Sequence, residues 1–475
     1  MNLSKKILLG ISMISICFSS NVSADQRIVT GDGEYVIGDG IDENFSVAKK
    51  LALEDAMQNA GLQASVYVKR QSKSVDHIIE EDVVEMISAN VLHLTREPEY
   101  IKDVTVDKKA FIMKCHVEAI VDDDNIAEEI SKDKGNQDEL VRQNKELMNE
   151  RDRLRREMDE LQKKYEKATS KNEIAELNAE VKKIDAGLTA MQYYKIGNQK
   201  YNETKYSEAI KNYNKAIELN PKFLWAYVNR GVAYKDQGNF DKAIADYSKA
   251  IQIDPKGSTA YVNRGNAYQD QGNLNQAIKD YGKAIEIDPK DTDAYYNRGV
   301  AYAKQGNLNK SISDWTKAIQ IDTRDFMAYD SRGRAYAKQG NLNQAISDYT
   351  KAIEINPKFA GAYNNRGLAY ADLGNLNKAI ADYNKAIQIN PKLASAYYNR
   401  GLAYDDQGNL LQAIKDYTKT IELDPDDVDA YSNRGVAYAK LGKISQAIAD
   451  FKKVLTLDPN NQLAREVLNR VQNQY

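Results

Sequence analysis

Residues 260–289 read AYVNRGNAYQDQGNLNQAIKDYGKAIEIDP, and residues 294–323 read AYYNRGVAYAKQGNLNKSISDWTKAIQIDT. The second stretch repeats the first 34 residues later. The most regular mark is an Asn-Arg-Gly triplet at Asn229-Arg230-Gly231, Asn263-Arg264-Gly265, Asn297-Arg298-Gly299, Asn365-Arg366-Gly367, Asn399-Arg400-Gly401 and Asn433-Arg434-Gly435. Ser331-Arg332-Gly333 is a one-letter variant, and a diverged copy beginning near Ala190 keeps only Gly197. Eight copies thus fill residues 190–461. A fixed period of this length signals a stacked array whose units bury their apolar faces only against one another.

Each unit reads as two helices. Glycine in the Gln-Gly-Asn turn, as at Gln237-Gly238-Asn239, accepts the left-handed conformation that stops the first helix. Seven of the 8 prolines, from Pro221 to Pro459, end the second helix, since proline cannot continue a helix interior. Gly231 and Ala243 read as the small residues that face each other where the helices cross, with tyrosines filling the space between units. The unit resembles the tetratricopeptide repeat: Tyr227, Gly231, Tyr234, Ala243, Tyr247, Ala250 and Pro255 fall on that family's signature positions. Departures are Ser311 and Thr323, with Thr420 and Val454 in place of the second alanine. The resemblance implies a mainly α fold: an eight-repeat α-solenoid over 190–461, closed by a capping helix over 462–475.

Every copy with arginine in its triplet carries an aspartate sixteen residues later: Arg230 with Asp246, Arg264 with Asp280, Arg298 with Asp314, Arg332 with Asp348, Arg366 with Asp382, Arg400 with Asp416 and Arg434 with Asp450. The first copy lacks both, having Ile196 and Asn212. Joint loss is expected of a pair bonded across the two helices, although duplication from one ancestor would leave the same pattern. A charge-assisted Arg–carboxylate bond is directional and would set the helix crossing.

In tetratricopeptide proteins the first helices line a concave groove, and the resemblance places the triplet asparagine inside it. Asn229, Asn263, Asn297, Asn365, Asn399 and Asn433 would then form a ladder. An amide offers both donor and acceptor, which suits the backbone of an extended peptide. The same amide could instead brace neighbouring turns. The next inward position is mostly apolar (Val232, Val300, Leu368, Leu402, Val436). The cations that grip a C-terminal carboxylate in some members are replaced by Trp225, Thr259, Asp293, Gly361 and Asp429. The ladder is interrupted at Lys195 and at Ser331, beside Asp330 and Arg334, so the fifth copy reads as a distinct subsite.

Outside the repeats, residues 1–24 read as a secretory signal: Lys5 and Lys6, an apolar stretch from Ile7 to Phe18, and a small-residue cleavage site at Val22-Ser23-Ala24. Export to the bacterial periplasm or beyond follows. Cleavage would remove Cys17, leaving Cys115, in an alternating apolar run, as a buried structural thiol. Residues 25–125 read as a small α+β unit: a strand over Arg27–Ile37, a helix over Phe45–Ala60, a weaker apolar run over Val83–Leu92, and a hairpin over Ile101–Val121 turning at Asp107-Lys108-Lys109. The helix AKKLALEDAMQNAG and the strand FIMKCHVEAIV resemble the N-terminal domain of flagellar assembly protein T and related envelope lipoproteins. That implies a noncatalytic role in an envelope assembly and assigns no functional residue.

Residues 126–189 form a charged linker with Leu140, Leu147, Leu154 and Leu161 at heptad spacing. Asn144, Arg151, Met158 and Tyr165 interleave with them. The pattern breaks at Thr169-Ser170-Lys171-Asn172 and resumes through Ile174, Leu177, Val181, Ile184 and Leu188. A heptad seam predicts a coiled coil and a homodimer through 140–188, with polar Asn144 favouring two strands; a lone solvated helix is the alternative.

A formal net charge of −3 gives no basic excess for nucleic acid. His77, His93 and His116 lack metal-ligand spacing, and His116 and Cys115 fall on opposite faces of a strand. Neither a phosphate loop nor a nucleophile elbow is present. The expectation is a noncatalytic scaffold without cofactor or metal, which binds proteins or extended peptides. The alternatives are a structural subunit of an envelope complex and a substrate-gripping accessory to a partner enzyme.

Overall fold

The computed structural model describes residues 27–38, 45–74, 92–94, 98–104, 110–121, 134–165, 167–168 and 170–472. The expected signal over 1–24, the turn at Asp107-Lys108-Lys109 and nearly all of the Val83–Leu92 run lie outside them. The chain divides into two compact units, one ending at Ala233 and the other beginning at Tyr234.

The first unit opens with β1 (Arg27–Gly38), α1 (Phe45–Ser74), β2 (Leu92–Leu94), β3 (Glu99–Val104) and β4 (Ala110–Val121). β1 pairs antiparallel with the whole of β4, from Arg27↔Val121 to Gly38↔Ala110. β3 and β2 follow one another along the other edge of β4. Alternation puts Cys115 and Val117 on the buried face. α1 covers the sheet with Val47, Ala48, Leu51, Ala52, Ala56, Ala60 and Ala64, all buried. The alanine spacing marks its inner face, and the helix runs fourteen residues beyond the expected end at Ala60.

α2 (Lys134–Tyr165) and α3 (Lys171–Asn202) form a helical hairpin. Its turn falls at the break in the heptad pattern, where Ser170 and Glu173 close a capping box. The seam residues Leu147, Leu154, Met158 and Leu161 are buried within this single chain, as are Leu177, Val181, Ile184 and Leu188. Within this chain α3 supplies a packing surface for the seam. Leu154 packs on Gly187, where a Cβ would lie 3.2 Å from its methyl carbon. α1 is joined to the hairpin by Arg155, which donates twice to Asp55 at 2.7 and 2.8 Å, and by Lys50, 2.7 Å from Asp185. α3 continues without interruption past Ala190, where the sequence period begins, and serves as the first helix of the first copy.

From the second copy onward, first helices of 13 residues alternate with second helices of 14. In the second unit apolar clusters span neighbouring copies. Ala277, Tyr281 and Ala284 pack with Ala294 and Ala301 of the next copy, and Ala379 and Tyr383 pack with Ala403. Stability thus comes from stacking. The turn glycine is used at Gly272, with φ +86°. Asn273 N donates back to Tyr268 O at 2.7 Å, closing the helix end. The first copy places Thr204 there at φ 58°, the one non-glycine residue with positive φ among the described residues.

The triplet glycine has a different neighbour from the one expected. A Cβ on Gly265 would lie 2.6 Å from the Tyr281 ring, and one on Gly367 would lie 2.6 Å from Tyr383. The glycine makes room for the buried aromatic of its own second helix, rather than for the alanine four residues earlier. At the C-terminal end, helix Gln462–Gln472 lays Ala464, Val467 and Leu468 over Ala447, Phe451 and Val454.

Candidate binding face

In the second unit, six arginines make the same pair of bonds. Arg264 donates to both oxygens of Asp280 at 2.7 and 2.8 Å. Arg298–Asp314, Arg332–Asp348, Arg366–Asp382, Arg400–Asp416 and Arg434–Asp450 repeat this geometry within 2.6–2.9 Å. Each of these aspartates is buried. The bond to Asp280 raises the Arg264 guanidinium further above its ordinary range, against the opposing effect of burial. Asp246 is likewise buried in the second unit. Arg230, in the first, donates to Asn214 Oδ1 at 2.6 Å.

The remaining nitrogen of the guanidinium has a partner that sequence reasoning missed. Nη1 donates to the side chain sixteen residues earlier, in the preceding copy: Arg264 to Ser248, Arg332 to Thr316, Arg366 to Thr350 and Arg434 to Thr418, all at 3.0 Å, and Arg400 to Asn384 at 2.5 Å. Arg298 meets Gly282 at that position, which has no acceptor side chain. The guanidinium also lies over the tyrosine three residues before it, as Arg264 does over Tyr261 at 5.7 Å. Arg264, Arg332, Arg366, Arg400 and Arg434 therefore each join their own second helix to the copy before.

The asparagines divide into two groups. Asn229 Nδ2 donates to Tyr194 Oη at 2.8 Å and Asn198 Oδ1 at 3.0 Å. Asn365 donates to Asp330 at 2.9 Å, Asn399 to Asn364 at 3.0 Å, and Asn433 to Tyr398 at 2.9 Å. In each case an acceptor lies thirty-five residues earlier, on the first helix of the preceding copy. These four are braces between first helices. The residues thirty-five positions before Asn263 and Asn297 are Val228 and Val262, which accept nothing. The half-buried side chains of Asn263 and Asn297 have no hydrogen bond among the described residues. Comparing each asparagine with the residue thirty-five positions before it would have separated the groups from sequence alone.

In the fifth copy Ser331 lies 3.3 Å from Tyr296 Oη and takes a 3.2 Å bond from Arg334 Nη2. Arg334 Nε sits 3.2 Å from the buried Asp330 carboxylate. Burial pushes the Asp330 carboxyl above its usual range, against the opposing effects of Asn365 and Arg334. Among the described residues no group of three or more His, Cys, Asp or Glu is placed to hold a metal ion. The described helices include none long and apolar enough to cross a membrane.

Family models described as TPR repeat match residues 197–238, 233–272, 265–306, 333–374, 367–408 and 402–442. One described as tetratricopeptide repeat matches 292–324 and 428–461. Together they cover more than half of the chain. The chain belongs to the tetratricopeptide repeat family. Among solved structures this tetratricopeptide chain is similar to YrrB, a TPR protein with an unusual peptide-binding site, at 28% identity over 39% of this chain and 95% of that one, with a TM-score of 0.34. It is similar also to MamA, at 31% identity over 35% of this chain and 96% of that one, with a TM-score of 0.33. No curated protein sequence matches the tetratricopeptide chain. The family matches begin at residue 197, so the N-terminal α+β unit lies outside them.

Proposed function

We propose that this protein is an exported, noncatalytic scaffold that holds an extended segment of a partner polypeptide along the first helices of its repeats. One observation carries the reading: a single repeat position is used for bracing at Asn365, Asn399 and Asn433 but left with unbonded amides at Asn263 and Asn297. A half-buried amide with no partner in the protein is open to solvent and available to bond a ligand. Two such amides one repeat apart offer donor and acceptor pairs to a peptide backbone whatever its side chains. Family membership supports the coarser statement of a protein-binding scaffold, and the signal-like residues 1–24 support export to the periplasm. Affinity capture from periplasmic extract, with wild type beside Asn263→Ala/Asn297→Ala, tests it. The reading expects the double variant to lose partners retained by wild type; identical captured sets would refute it.

A further inference from the structure

Trp225 occupies the repeat position that holds Thr259, Asp293, Gly361 and Asp429 in other copies. Unlike a side chain left open on a first helix, it is buried. α2 covers it. The Arg142 guanidinium lies 5.4 Å from the Trp225 ring centroid. Glu146 accepts the indole N–H at 2.7 Å. On the same face of α2, the buried Gln143 accepts from Tyr194 Oη at 3.0 Å. Tyr194 in turn accepts the amide of Asn229. Gln143 and Glu146 are three residues apart, the spacing that puts two side chains on one helical face. The leucine seam that joins α2 to α3 uses none of these polar groups. The third and fourth turns of α2 are thus attached a second time, by three polar side chains set on an aromatic floor belonging to the first two copies.

We propose that Tyr194, Trp225 and Asn229 form a helix-binding site, held closed in cis by the Arg142–Glu146 stretch of α2, which opens to a partner helix of the same chemistry. That chemistry is an amide or carboxylate pair three residues apart, with an arginine just before it. The indole N–H and the phenol O–H each demand one acceptor, and their separation sets the spacing. The aromatic rings supply apolar area and a face for the cation. Because α2 is tethered, its effective concentration is high, and a partner competes only with a helix that satisfies both donors. This site uses residues other than the open amides of Asn263 and Asn297 and does not depend on them.

The test uses the full chain carrying Trp315→Phe. Phenylalanine stands at the equivalent position as Phe451, and the change leaves Trp225 as the sole tryptophan. In that background Gln143→Ala/Glu146→Ala is expected to move Trp225 emission to longer wavelength and increase its quenching by acrylamide several-fold. A synthetic peptide of residues 138–152 is then expected to restore the buried emission saturably, and the same peptide with both alanines is not. Trp225 remaining protected in the double variant would overturn the proposal. So would an exposed Trp225 that the peptide fails to cover again. If the double variant loses helix content, Glu146→Ala alone carries the same readouts.

Discussion

Arg332 reaches into the preceding copy, donating from Nη1 to Thr316 Oγ1 at 3.0 Å, while its other edge holds Asp348 of its own copy through bonds of 2.8 and 2.7 Å. One side chain thereby sets both the crossing within a copy and the contact between copies. Removing either partner leaves a largely buried charge uncompensated. Arg332→Ala and Asp348→Ala should each cost about 2–3 kcal/mol. The double variant should cost well below their sum, with a coupling of about 1–3 kcal/mol. Urea midpoints of the four proteins measure this; strictly additive losses would mean that the pair contributes no coupling.

Arg298 is the member of the series without an acceptor in the preceding copy, because Gly282 stands where Ser248 and Thr316 stand elsewhere. A Cβ on Gly282 would lie 3.7 Å from Arg298 Nη1, an ordinary contact. Gly282→Ser should add the missing bond and remove a glycine from a helix interior. The expected gain is about 1 kcal/mol, with glycine's helix penalty and one modest hydrogen bond both contributing. Gly282→Ala separates the two contributions, since it recovers only the first.

The buried tyrosines of the second helices give a matched pair. Tyr281 Oη donates to Asn266 at 2.7 Å. Tyr417 faces a copy with Leu402 in place of Asn266, and its buried hydroxyl has no hydrogen-bond partner. Tyr281→Phe should therefore destabilise by about 1 kcal/mol, and Tyr417→Phe should be neutral or stabilising. Equal losses in thermal melts would contradict this account of the two sites.

Light scattering on the purified chain should report a monomer. Leu147, Leu154, Met158 and Leu161 are at most 8% exposed within one chain, so this stretch of the heptad seam is already covered by the chain itself. A concentration-independent dimer that Leu154→Glu abolishes would restore the coiled-coil reading.

Much of the fold was legible because a 34-residue period repeats its local signals seven times over. The glycine turns, the prolines and the arginine–aspartate spacing all point to one helical hairpin. The errors share a physical cause: periodicity identifies the face of a helix that is buried, but not what buries it. The leucine seam met the chain's own next helix, and the capping box at Ser170 and Glu173 was the local signal for the turn between them. Gly265 met the ring of Tyr281 rather than an alanine, since a small residue accommodates either. The choice between bracing and ligand binding stayed open for the asparagines because it depends on an acceptor thirty-five residues away. Trp225 appeared only as the absence of a cation, and its contact with α2 has no sequence period at all.

The central claim is that the open amides, rather than the bracing ones, hold the partner. Isothermal titration of one captured peptide against Asn263→Ala/Asn297→Ala and Asn399→Ala/Asn433→Ala, in otherwise unchanged protein, tests it directly. The account predicts a loss of affinity of about tenfold or more for the first variant, consistent with two hydrogen bonds. For the second it predicts nearly unchanged affinity with reduced thermal stability. Unchanged binding by the first variant, or equal loss in both, would contradict it.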